Sequence, residues 1–430
     1  MSLLNKEFYP KNERKTKIVL FGLNRYVKGT ALTAVNSMNG DGVLDAGVIA
    51  VLGNPSEAEQ AEKLKAQDYM YTILRQGLLD GDPFEDNSIV ESLNGIVNPY
   101  ADFNEYLRLA RLETLEFAFI NTHDEDVIFD ETDTNLKAPK SFIGKLLAFL
   151  KARYEAFGGD ITKGFHFIPA DKGFTDANDF KDMLVKLAKA CRLPSDYINW
   201  IIYSNTYAKC LIDRIIEEAS IEDVEKADLI DGDYEDYAAI RTEHFYTWII
   251  EGSLGLDKVF PAEAATDIEF TDDITPYIER SDRLRGGARL ALIATKEPTV
   301  SQAFKEIEQF VKDYIIYEAG PTVDLVDVEL EFYSDNLYER YENPYFEIDN
   351  GPRYKKYLKQ ALLPVIFGNK ELAKRTLLIL AYFVIDDNID LGADPDFVKI
   401  DTVNGATQFL NQAIEDIKEL GFVGAVKKNF

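Results

Sequence analysis

The stretch KIVLFGLNRYVKGT, Lys17 to Thr30, constrains this chain more than any other. A short apolar run, Ile18 to Phe21, meets a turn at Gly22-Leu23-Asn24, and a helical pattern follows. That order reads as the first strand, turn and helix of a dinucleotide-binding fold. In such a fold the amides at the helix N-terminus hold a pyrophosphate, and glycine lets the backbone approach it. The second glycine of the usual G-x-G is replaced by Asn24, while Gly22 and Gly29 remain. Asparagine tolerates positive φ better than most residues, yet it keeps a side chain where the phosphate would pass. An ordinary strand-to-helix turn would carry the same glycine, so the motif alone leaves cofactor binding open. Gly22 and Asn24 are the first candidate cofactor residues.

Composition narrows the function classes. The chain has 430 residues, enough for two domains, and 46% are hydrophobic, as in a folded globular protein. Lys and Arg number 47 against 75 Asp and Glu, a net charge of −28. Such a field repels phosphate backbones and argues against nucleic-acid binding, though not against a small anion in a local basic pocket. Cys191 and Cys210 cannot make a disulfide framework in a chain this long. The start has no signal-peptide pattern, and no apolar run approaches the roughly 18 residues of a membrane span. The expectation is a cytoplasmic protein with no membrane partner and no multi-histidine metal site, since only His123, His166 and His244 occur.

Along the chain, a helix is expected over 25–38 and a strand over Val48–Leu52. No acid stands at that strand's end before Glu57, so the choice between NAD and NADP stays open. Further strands are expected at Tyr69–Arg75, Ile89–Val97, Phe117–Ile120 and Phe165–Ile168. Asn121 follows the third of these, at a strand end that faces the ligand crevice in an open α/β sheet, and is a cofactor-side candidate. Asparagine is equally at home there as a turn former. His166 reads as a packed residue. Helices are expected over 140–157, 179–191 and 195–219, and then, after the acidic stretch 229–236, over 276–294, 299–316, 353–366, 370–385 and 404–419. The fold class is an α/β N-terminal Rossmann-type domain over 1–235 and a mostly α-helical C-terminal domain over 236–430. The expected site lies between them.

Several segments together resemble the long-chain polyol dehydrogenases, the family of mannitol dehydrogenase and tagaturonate reductase (altronate oxidoreductase). They are FGLNRYVKG, FAFINTHDE at 117–125, KGFHFIPAD at 163–171, NTYAKCLIDRI at 205–215, TEHFYTWIIEG at 242–252 and DDITPYIER at 272–280. The segments at Glu243–Tyr246 and Asp272–Ile274 favour the tagaturonate reductase branch. The resemblance implies metal-independent hydride transfer between NAD(H) and a keto-sugar acid, with a polyol acid as the other partner. It also implies a helix carrying a lysine base, an asparagine and a histidine at steps of five and three. A lysine whose pKa is lowered by burial suits that work.

This chain departs from that pattern. In YIERSDRLRGGARLALI the lysine position falls on Ser281, the asparagine position on Gly286 and the histidine position on Arg289. Serine is a poor base, glycine offers no side chain, and arginine stabilises negative charge without taking a proton. Lys172, at a strand end facing the crevice, is the candidate re-sited base, with Ser281 and Arg289 as the remaining catalytic candidates. Arg280, Arg283, Arg285 and Arg289 gather cations in a very acidic protein, and guanidinium forks match carboxylates. Arg283, Arg285 and Arg353 are therefore the substrate candidates; solvated arginines paired with nearby acids are the alternative. Two readings follow: an active NAD-linked oxidoreductase acting on a sugar acid or polyol, or a catalytically degenerate homologue that binds without turnover.

Overall fold

The computed structural model describes residues 2–79, 82–122, 128–137, 139–171, 176–229, 232–251, 253–261, 268–274, 277, 345–346, 406–429 and single positions within 374–385. Six parallel strands form the central sheet: β1 Thr16–Phe21, β2 Gly47–Val51, β3 Leu93–Val97, β4 Phe117–Ile120, β5 His166–Pro169 and β6 Thr206–Tyr207. Their order across the sheet is β3-β2-β1-β4-β5-β6. The order reverses beside β1, and that switch point opens a crevice at the strands' carboxyl ends.

The sheet is covered on both faces, which is why its strands read as unbroken apolar runs rather than alternating ones. Ile18 and Leu20 pack with Val27, Ala31 and Val35 on one face. Val19 and Phe21 pack with Ile143, Leu146 and Phe149 of the helix Phe142–Ala156 on the other. Within that helix Arg153 is fully buried. Its guanidinium donates to the carbonyls of Ala110, Leu112, Leu115 and Lys163 at 2.6–3.1 Å.

The helix after β1 is not continuous α-helix. It opens at Arg25–Val27, passes through a π-helical segment Lys28–Leu32 and resumes as Thr33–Gly40. The wide turn frees carbonyls that need other donors. Thr33 Oγ1 donates to Lys28 O at 2.7 Å, Tyr71 Oη donates to the same oxygen at 2.6 Å, and Arg214 Nη1 donates to Gly29 O at 2.9 Å.

Two further sheets extend the first unit. One joins Ile216–Glu218, Ile240–Glu243, Tyr71–Leu79 and Asp82–Val90; the other joins Cys210–Asp213, Thr247–Glu251 and Ile268–Thr271. The helix expected over 195–219 is thereby corrected. It ends at Tyr203, because Asn205 donates to the carbonyls of Trp200 and Ile201 and accepts from Phe165 N. Strands follow.

The chain divides into Met1–Gly77 with Asp82–Ile274, and Leu78–Gly81 with Thr275–Phe430. The strands Ile240–Glu243 and Thr247–Glu251 lie in the first unit, so that unit runs past the boundary expected at 235/236. Among the described residues after Ile274, all regular structure is helical, including Ala406–Asn429 with a break at Gly421, φ 71°. No described helix is long and apolar enough to cross a membrane.

Candidate cofactor site

The turn after β1 is built around Gly22. Its φ of +91° favours glycine, and a Cβ there would lie 2.0 Å from the Asn121 carbonyl oxygen. Gly22 N donates to Val51 O at 2.8 Å, and Asn121 N donates to Phe21 O at 2.8 Å. The ends of β1, β2 and β4 are thus laced together by backbone, with Gly53 close against Gly22 Cα.

Asn24 takes an extended conformation, φ −126°, rather than the left-handed one. It caps the helix: its Oδ1 accepts from Tyr26 N at 2.9 Å and Val27 N at 3.2 Å. A carboxylate completes the turn. Glu57 Oε2 accepts from Leu23 N at 3.0 Å and Gly53 N at 2.7 Å, and its Oε1 accepts from Asn54 Nδ2 at 3.1 Å. Burial pushes the Glu57 carboxyl up to about 7, against the opposing pull of the Gly53, Leu23 and Asn54 backbone N–H groups. The acid missing from the end of β2 in sequence is delivered there by the short helix Pro55–Glu57.

These residues form one wall of a cavity of about 250 Å³. Tyr100, Asn121, Thr122, Lys140, Ser141 and Phe142 line it as well. Tyr100 donates its hydroxyl to Gly53 O, and the Lys145 ammonium sits 4.7 Å from the Tyr100 ring centroid. Ser141 caps the helix Phe142–Ala156 through Gly144 N, and Asp133 holds the Lys140 and Ser141 amides at 2.7 and 2.9 Å. A helix N-terminus and a lysine therefore face the cavity, which suits an anionic ligand.

Asn121 carries the most direct sign of a missing partner. It is 5% exposed, and among the described residues neither its Oδ1 nor its Nδ2 has a hydrogen-bond partner. A buried primary amide left unpaired costs free energy unless a ligand or water completes it. Together with the helix N-terminus and Lys140 lining the same cavity, this fits a nucleotide bound across the turn.

Among the sequence candidates, the structure brings Gly22, Asn24 and Asn121 together in this way. Lys172, Ser281, Arg283, Arg285, Arg289 and Arg353 lie outside the described residues, as do Gly286 and His123. Sequence reasoning missed Tyr100, Lys140 and Ser141, and it noted Glu57 only as a distant acid. His166 is half-buried, bonded through Nδ1 to Thr206 Oγ1 at 2.8 Å, and its pKa is lowered by burial, as befits a packed residue. Among the described residues no group of three or more His, Cys, Asp or Glu side chains could hold a metal ion.

The sheet order, the glycine turn and the crevice above it define a Rossmann-type nucleotide-binding protein. The profile of the mannitol dehydrogenase Rossmann domain matches residues 29–259, and the chain belongs to that family. It is 29% identical over 386 residues to the altronate oxidoreductase of Bacillus subtilis (strain 168), covering 84% of this chain and 79% of that protein. It is likewise 29% identical over 361 residues to the altronate oxidoreductase of Klebsiella pneumoniae (strain 342), at 81% and 73% coverage. Two solved structures share the fold. Pseudomonas fluorescens mannitol 2-dehydrogenase, in ternary complex with NAD and D-mannitol, aligns with TM-score 0.67 and 14% identity over 100% of this chain and 99% of that one. A substrate-free D-sorbitol dehydrogenase aligns with TM-score 0.73 and 16% identity, at 99% and 100% coverage.

Proposed function

We propose that the chain is an NAD-linked oxidoreductase of the altronate oxidoreductase type, interconverting a keto-sugar acid and a polyol acid. The observation that carries this reading is the unpaired, buried Asn121 amide lining a cavity between the ends of β1, β2 and β4. The relatives named above supply the substrate class. In this reading the nicotinamide cofactor supplies or accepts the hydride. Gly22 admits the cofactor backbone, Asn121 hydrogen-bonds it, and the end of the helix Phe142–Ala156 with Lys140 offsets its negative charge. Glu57 stands at the end of β2, where an acid meets the ribose hydroxyls in this fold.

For the chemistry we retain Lys172 as the candidate base, with Ser281 and Arg289 as the remaining catalytic candidates. Arg283, Arg285 and Arg353 remain the candidates for the substrate carboxylate. The test is NADH consumption with a panel of keto-uronates, run beside a Lys172→Met variant. Turnover by the wild type and its loss in the variant, with NADH binding unchanged, support the reading. A folded protein that fails to bind NADH overturns it, and one that binds NADH without turning over any keto-uronate restricts it to binding.

A further inference from the structure

We propose that the phosphates of the bound nucleotide rest on the N-terminus of the helix Phe142–Ala156, with Lys140 and Asn121, and not on the first helix, whose amides the side chains of Asn24 and Glu57 already occupy. This rests on the cofactor reading above and says where that cofactor's charge is held.

In the usual dinucleotide turn the pyrophosphate accepts from amides that nothing else uses. Here most of them are spent inside the protein. Gly22 N donates to Val51 O, Leu23 N to Glu57 Oε2, and Tyr26 N and Val27 N both to Asn24 Oδ1. Asn24 stands where the usual second glycine would, and its side-chain oxygen takes the place of a phosphate oxygen. Within Arg25–Val27 the cap leaves over only the amide of Arg25, the first helical position.

The helix Phe142–Ala156 offers another seat. Its 15 residues begin at a cap, Ser141, whose Oγ accepts from Gly144 N at 2.9 Å. The Phe142 amide, at the first helical position, has no intrahelical acceptor. Asp133 is engaged just before it, by the amides of Lys140 and Ser141. Phe142, Lys140 and Asn121 line one cavity. Lys140 is exposed, and it is the one lysine or arginine among the described lining residues. The Asn121 amide is 5% exposed and, among the described residues, unpaired at both Oδ1 and Nδ2. Its Nδ2 is a donor for a phosphate oxygen, and its Oδ1 an acceptor for a ribose hydroxyl. A cation, a helix amide and a side-chain amide thus meet on the side of the cavity away from Asn24 and Glu57.

The experiment compares proline with alanine at the first position of each helix, by calorimetric titration of the full chain with NADH, ADP and adenosine. Proline is tolerated at that position and removes its N–H. The preceding residues are extended, Asn24 at ψ 179° and Ser141 at ψ 158°, as proline requires. Phe142→Pro should bind ADP and NADH about tenfold more weakly than Phe142→Ala, the value of one hydrogen bond to a charged group, and adenosine equally. Arg25→Pro should match Arg25→Ala with all three ligands. Lys140→Met, an exposed change outside the helix, should weaken ADP but not adenosine, by a factor that shrinks as salt is added. Equal ADP affinity in the Phe142 pair, or any loss from Arg25→Pro beyond Arg25→Ala, overturns the seat and leaves the cofactor reading standing. Should Phe142→Pro fail to fold, an ADP affinity unmoved by Lys140→Met overturns the seat by itself. A wild type that binds neither ADP nor NADH overturns the seat together with the cofactor reading.

Discussion

Arg214 Nη1 donates to the carbonyl of Gly29 at 2.9 Å, across 185 residues of sequence. The same guanidinium reaches Glu243 O through Nε and Nη2 and lies 5.1 Å from the Tyr246 ring centroid. One side chain therefore holds the widened turn of the first helix to the end of the strand Ile240–Glu243. Arg214, in the NTYAKCLIDRI segment that helped mark the family resemblance, has a structural role in this chain.

Replacing Arg214 by alanine should cost about 2–4 kcal/mol, because two buried carbonyls lose their donors. Lysine should recover only part of this, since an ammonium cannot reproduce the planar fork. Urea denaturation, read as a shift in midpoint at constant slope, checks both variants.

Gly22→Ala should abolish NADH binding. The new methyl would stand 2.0 Å from the Asn121 carbonyl at a φ of +91°, so the turn must open to admit it. A loss of at least about 1–3 kcal/mol of stability should accompany it. Fluorescence titration with NADH and a thermal melt report the two effects separately.

Asn121→Ala should separate binding from folding in the opposite way. The amide has no hydrogen-bond partner among the described residues, so its removal should leave stability unchanged or slightly raised. NADH affinity should fall by about tenfold, the value of one or two hydrogen bonds. A clear drop in melting temperature would show that the side chain serves the fold instead.

Glu57 also links stability to pH. Its folded value is raised from 4.5 to about 7, so the folded state binds the proton more tightly. That contribution is fully present below 4.5, declines as pH rises towards 7, and is absent above it. With allowance for partial solvent contact it amounts to about 2 kcal/mol. Denaturation profiles between pH 4.5 and 8 should show this slope in the cofactor-free protein, and Glu57→Gln should flatten it.

Lys28 carries the opposite sign. It is fully buried, with its ammonium 3.7 Å from Glu218 Oε2, too far for a hydrogen bond, and 5.2 Å from the Tyr71 ring centroid. Burial lowers its pKa to about 8. Its contribution is present above 10.5 and is lost as pH falls through 8. Lys28→Met should therefore stabilise the protein at pH 7 by about 1–3 kcal/mol, since half-exposed Glu218 can turn to water. Chemical denaturation at pH 7 and pH 10 should show the gain shrinking at the higher pH.

The central sheet was legible because its strands are buried on both faces. β4 lies at Phe117–Ile120, as the apolar run and flanking polar residues indicate, and the Gly22 turn is where its glycine places it. The segment 206–218 was not legible. Its apolar residues, Cys210, Ile212 and Ile216 among them, fit helical and strand spacing alike, and pairing with 240–251 decides the matter. The site was half legible for the same reason. Asn24 and Asn121 sit beside their own strand ends, whereas Glu57 meets Leu23 across 34 residues. No local pattern encodes that meeting, and the same holds for Tyr100 and Lys140.

The π-helical segment Lys28–Leu32 leaves a trace in the rest of its helix. An inserted residue rotates everything beyond it by about 100° relative to an uninterrupted α-helix. Val35 and Met38, beyond the segment, nevertheless pack into the same core as Val27 and Ala31 before and within it. In a homologue with a regular turn here, residues past the turn would point elsewhere around the helix axis, so core positions are matched by burial and not by counting residues.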